Sequence, residues 1–146
     1  YPLPELHRSY QEALFALHLS KLVGKRHFVK HFSDLGVFSL ICQNEPRIMV
    51  QFYEKFLGPV IKFDRENQRE LLSSLRCLFD SNLDVKTAAE RLHLHINTLR
   101  YRLKQIEELT GMDLQKIEDR ANLFVALKLY ELLLSAGYIN GIDGPR

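Results

Sequence analysis

The chain has 146 residues, no tryptophan and only two cysteines, Cys42 and Cys77. Two thiols in apolar surroundings are too few for a disulfide-built scaffold. They read as small core residues of a reducing compartment, with a single bridge between them left open. A long hydrophobic run is also missing. The most apolar stretch, Leu123 to Ala136, is interrupted by Lys128 and Glu131 and is too short to cross a bilayer, so no membrane partner is expected. The opening residues, YPLPELHRSY, lack the basic start and apolar run of a signal peptide, which points to the cytoplasm. They also lack a methionine and run straight into a helical pattern, so the sequence is expected to be part of something longer. Charge of one sign is scarce: 20 Lys and Arg against 18 Asp and Glu give +2. That balance implies no nucleic-acid partner by itself; the location of the charge must make the case.

Catalytic signatures are missing as well. No G-x-S-x-G, P-loop or dinucleotide fingerprint occurs, and His7, His18, His27 and His31 stand at no useful spacing from acids. No catalytic residue, no cofactor and no enzymatic activity are expected. His93 and His95 form an H-x-H pair without the further ligands of a tetrahedral zinc site, so no metal is expected either. Their role is better read as turn residues near phosphates.

What the chain does have is an ordinary globular composition, 46% hydrophobic and 26% charged, enough for a sizeable core. Helical spacing over Pro4–Val23 is closed by Gly24. His27–Phe32 (HFVKHF) alternates weakly, as a short strand would, and Ser33–Gly36 reads as a turn. From Glu45 onward the pattern is helical. Arg47–Leu57 is expected to stop at Gly58–Pro59. Asp64 can cap the next helix, with its stripe of Leu71, Leu72, Leu75, Leu78 and Phe79. A last helix, Ile117–Ala136, is apolar around most of its circumference and should be buried against neighbours or another subunit, while GIDGPR at the end looks loose.

Between them lies the most informative stretch. Asp84 is a plausible N-cap for a two-turn helix bearing Val85, Ala88, Ala89 and Leu92 on one face. The two alanines would let a second helix approach closely, and Leu94 in the His93–His95 break would plug the angle. A further helix then starts near Ile96 or Asn97 and runs to Leu109, with Gly111 just beyond its end. The arrangement is that of a helix-turn-helix. On the second helix Leu99, Leu103 and Ile106 share one face, with Leu109 at its margin, and Asn97, Arg100, Tyr101 and Lys104 lie opposite. Asparagine can pair with an adenine edge, arginine with guanine, and lysine and tyrosine with phosphates. Four basic residues and no acid occur from Arg91 to Lys104; acids return at Glu107 and Glu108. Arg102 lies toward the core side and suits an ion pair or a marginal phosphate contact. Thr98, at the other edge, can reach a phosphate or cap the helix. Lys86, near the start of the first helix, can meet phosphate.

The run LLSSLRCLFDSNLDVKTAAERLHLHINTLRYRLKQIEELTGMDL, residues 71–114, resembles the C-terminal helix-turn-helix domain of the PucR/CdaR family of bacterial transcriptional regulators. The likeness extends back through FLGPVIKFD (56–64) and forward through the last helix. FSDLGVFSLI (32–41) resembles the stretch joining that domain to a preceding GGDEF-like domain. The resemblance implies a regulator that binds DNA near promoters of catabolic genes, often for purines or sugar diacids, with a small-molecule effector sensed by an N-terminal domain. His95, Asn97, Thr98, Arg100 and Tyr101 match the family's recognition-helix motif. Ile96 departs from it, because members commonly carry arginine there, which removes one positive contact. The sheet of a complete GGDEF-like domain is absent from this sequence.

The expectation is therefore a mainly α fold: a helical domain containing a helix-turn-helix, preceded by a short helix plus strand from a truncated α/β domain. Residues 1–43 would be the tail of the upstream domain and 44–146 the DNA-binding domain, with the helix-turn-helix at 84–109 and the recognition helix at 96–109. Double-stranded DNA and a second copy of the chain, as a homodimer, are the expected partners. A helical interaction domain offering its basic face to an acidic protein is the rival reading.

Overall fold

The computed structural model describes residues 45–137 and 139, and among them every regular element is a helix. The sequence features at 1–44 and 140–146 (the first helix, the short strand, its turn, Cys42 and the final residues) lie outside the described residues. The five helices are α1 (Pro46–Asn67), α2 (Leu71–Asp80), α3 (Val85–Arg91), α4 (Ile96–Thr110) and α5 (Ile117–Ser135).

Helix α1 corrects the sequence reading, because it runs straight through Gly58–Pro59. Proline disfavours a helical residue before it by pressing on that residue's Cβ, and it withholds an amide from the carbonyl four residues back. Gly58 has no Cβ to press on. The carbonyl left without its donor belongs to Lys55, and both Lys55 and Pro59 are exposed, so water can take the acceptor. Where the lost bond faces solvent and the neighbour is glycine, the break does not occur.

The described residues fall into two compact units. One, Tyr53–Leu127, holds most of α1, all of α2 to α4 and the first half of α5. Within it α2, α3 and α4 pack on one another. Leu71, Leu72, Leu75 and Leu78 of α2, Ala88 and Ala89 of α3, and Leu99, Leu103 and Ile106 of α4 are all buried. The expected stripe on α2 is thus present, with Phe79 half-buried at its edge against the Phe124 ring (centroids 5.3 Å apart, planes at 75°). The other unit includes the start of α1 and α5 from Lys128. There α5 is buried without interruption from Lys128 to Leu133. The two charges that broke its apolar run are an i,i+3 pair, Lys128 Nζ to Glu131 Oε2 at 3.5 Å. No helix among the described residues is long and apolar enough to cross a membrane.

Candidate nucleic-acid interface

The start of α3 is set by one carboxylate. Asp84 has an extended backbone, and its Oδ1 accepts from the amides of Lys86 and Thr87 at 3.1 and 3.4 Å. Its Oδ2 accepts from the Thr87 hydroxyl at 2.8 Å. These bonds favour the ionised form, and the Thr87 hydroxyl is the largest of the influences holding the Asp84 carboxyl below its ordinary 3.8. Two turns later α3 ends in a Schellman motif. The His93 amide donates to Glu90 O and the Leu94 amide to Ala89 O, at 3.1 and 2.9 Å. The left-handed residue this motif needs is usually glycine; here it is His93, at φ +55°. The break between α3 and α4 is therefore a defined turn, with Leu94 half-buried beneath it.

Buried Ala88 and Ala89 face this angle, as their size suggested, and Ala88 O also accepts from Cys77 Sγ at 3.6 Å. Helix α4 begins on His95, whose Nδ1 accepts from the Asn97 amide at 3.1 Å. The sequence reading placed His95 beside phosphates and missed this cap. The signal was available: an imidazole nitrogen two residues before a free helix amide can act as a side-chain acceptor. At the other end Gly111 adopts φ +70° and donates to Glu107 O at 2.9 Å.

Each residue singled out from the sequence has a definite place. Asn97, Arg100, Tyr101 and Lys104 are all exposed, Tyr101 by 63%. Their i,i+3 and i,i+4 spacings make them one continuous face, opposite the fully buried Leu99 and Ile106. His95 and Thr98 are exposed at the entry to α4, with Thr98 displaced around the helix from that face, and Lys86 is exposed on the first turn of α3. Ile96 and Leu109 are half-buried at the margins. Arg102 turns away from the outer face. Its Nη1 donates to Ser74 Oγ at 3.1 Å and lies 4.0 Å from Glu70 Oε2, the ion-pair role that its position on the wheel suggested.

Beyond Gly111 the chain is held by carboxylates. Glu107 Oε2 accepts from the Leu114 amide at 3.4 Å and Asp119 Oδ2 from the Asp113 amide at 2.9 Å, while Arg120 Nε donates to Leu114 O. Glu107, the first acid after the basic stretch, is thus turned toward its own loop. Among the described residues no cluster of three or more His, Cys, Asp or Glu is placed to hold a metal ion.

Residues 71–129 match the family model for the PucR C-terminal helix-turn-helix domain. The chain is similar to the DNA-binding transcriptional activator AdeR of Bacillus subtilis (strain 168), at 32% identity over 126 residues, 84% of this chain and 29% of that protein. It is similar to the proline-responsive transcriptional activator PutR of the same organism, at 34% over 129 residues, 87% and 31% of the two chains. The carbohydrate diacid regulator of Escherichia coli (strain K12) is 42% identical over 66 residues, 45% of this chain and 17% of that one. The chain therefore spans less than a third of the length of these curated relatives. No solved structure matches it.

Proposed function

We propose that this chain, whose residues 71–129 carry a PucR-type C-terminal helix-turn-helix domain, binds duplex DNA through the outer face of α4 as part of a transcriptional regulator. The observation that carries the reading is the exposure of Asn97, Arg100, Tyr101 and Lys104 on one side of a helix whose other side is fully buried. In this reading α4 enters the major groove, Asn97 and Arg100 meet base edges, and Tyr101 and Lys104 meet phosphates. Helix α3 crosses the backbone, with Lys86 at a phosphate, and His95 and Thr98 flank the entry of α4. One such helix reads few base pairs, so two copies act together with their α4 helices roughly 34 Å apart or a multiple of it.

The longer protein would work in the cytoplasm on catabolic genes of the kind its relatives are named for, proline and carbohydrate diacids, or on purine genes. Residues 1–43 would be the tail of a GGDEF-like domain and 44–146 the DNA-binding domain, the effector being sensed elsewhere in that protein. Neither catalysis nor a cofactor has a part in this mechanism.

Mobility-shift titration of a duplex selected from a random pool, at two salt concentrations, tests it. Arg100→Ala should weaken binding to the selected duplex by about 1–3 kcal/mol and relax preference at one position. Lys104→Ala should weaken binding to all duplexes alike and reduce the salt slope by about one. Unchanged affinity in both variants removes α4 from the contact surface. Binding to heparin with no preference among duplexes would favour an acidic protein partner instead.

A further inference from the structure

We propose that Arg102 is a positioning residue for DNA reading: its bond to Ser74 fixes the roll of α4 about its own axis, and so the aim of Asn97, Arg100, Tyr101 and Lys104. This rests on the DNA-binding reading above and adds to it a residue that touches no DNA. At about 100° per residue, Arg102 lies about 150° around α4 from the mean direction of those four side chains. It is therefore almost diametrically opposite the reading face, where an anchor controls rotation without occupying contact surface. Its side chain is 25% exposed, and the Nη1 proton goes to Ser74 Oγ at 3.1 Å.

Ser74 is a firm post. It is fully buried, and its hydroxyl donates to Glu70 O at 3.0 Å, which leaves the oxygen to accept from Arg102. The neighbouring Glu70 carboxylate, at 4.0 Å and 75% exposed, adds charge of the right sign but little fixity. The apolar partners of α4 do a different job. Leu99, Leu103 and Ile106 decide which side faces inward, but apolar contact is non-directional and tolerates small rotations. A charge-assisted bond to a buried hydroxyl is directional. The lever is favourable too: with side-chain ends about 5–6 Å from the helix axis, a roll of about 10° moves them by about 1 Å. Displacements of that size separate a working site from a loose one.

The test uses the whole chain, the selected duplex and a scrambled duplex of equal length, with Ser74→Ala, Arg102→Met and the double variant. The ratio of affinities for the two duplexes should fall about tenfold in each single variant and no further in the double variant. Affinity for the scrambled duplex and its salt slope should stay as in the parent chain. Helix content by circular dichroism checks the fold; Ser74→Ala removes one atom and serves if Arg102→Met does not fold. An unchanged ratio in Ser74→Ala overturns the proposal. A salt slope lowered by about one in Arg102→Met also overturns it, because the guanidinium is then a phosphate contact. A parent chain that prefers no duplex would sink the DNA reading itself, and this inference with it.

Discussion

Helices α2, from Leu71, and α3, from Val85, are started in different ways. At α3 the cap is local and exposed: Asp84 stands immediately before the helix and binds the first free amides and the Thr87 hydroxyl. At α2 the residue in the cap position, Glu70, makes no side-chain cap bond. The work is done by Asp64, three residues before the end of α1, whose Oδ1 and Oδ2 accept from the Leu71 and Leu72 amides at 3.0 and 2.9 Å. That carboxylate is buried. A local cap starts one helix. A cap reaching across a turn starts one helix and fastens it to another, at the cost of desolvating a charge.

Removing the two caps should therefore have unequal effects. Asp64→Ala leaves two buried amides without acceptors and should lower stability by about 2–4 kcal/mol in urea denaturation. Asp64→Asn keeps one acceptor and should lose roughly half as much. Asp84→Ala should cost less than either, seen mainly as faster hydrogen exchange at the Lys86 and Thr87 amides. A loss from Asp84→Ala equal to that from Asp64→Ala would erase the distinction.

Acid titration sharpens it further, because the two carboxyls shift in opposite directions. Burial is the largest influence on Asp64 and raises it above 3.8, against the Leu72 and Leu71 amides and Arg102, which lower it; Glu70 adds to the rise. Folding therefore favours the protonated form, and the contribution of Asp64 is whole below 3.8 and lost as pH climbs through the raised value. Asp84 is lowered, so its contribution is present above 3.8 and lost as pH falls through the lowered value. Comparing the parent chain with Asp64→Asn and Asp84→Asn across a pH series should give stability differences of opposite slope on the two sides of 3.8. Equal slopes would mean that burial does not dominate at Asp64.

Much of this was legible in the sequence, for a physical reason: caps and helical stripes are local. Asp84, the buried faces of α3 and α4, Gly111 and the inward turn of Arg102 all follow from residue type and the 3.6-residue period. What was not legible depends on surroundings. The rule against proline in a helix assumes a lost bond that matters, and at Pro59 the residues at both ends of that bond are exposed. Asp64 could be named as a cap, but not as one housed inside the preceding helix. The left-handed turns escaped notice for the same reason. Asn82 (φ +53°) and His93 (φ +55°) take a place where glycine would have advertised itself, and Leu83 follows Asn82 at φ +66°. Ser74 needed a partner 28 positions away before its buried hydroxyl made sense.

The cap at His95 has a consequence for recognition. A ring whose Nδ1 accepts from a backbone amide has only its Nε2–H left to offer. As long as helix and ring keep that arrangement, this position can give a proton to an approaching oxygen but cannot receive one from an approaching amine. The tautomer acts as a filter, and the helix that the ring begins is what sets it.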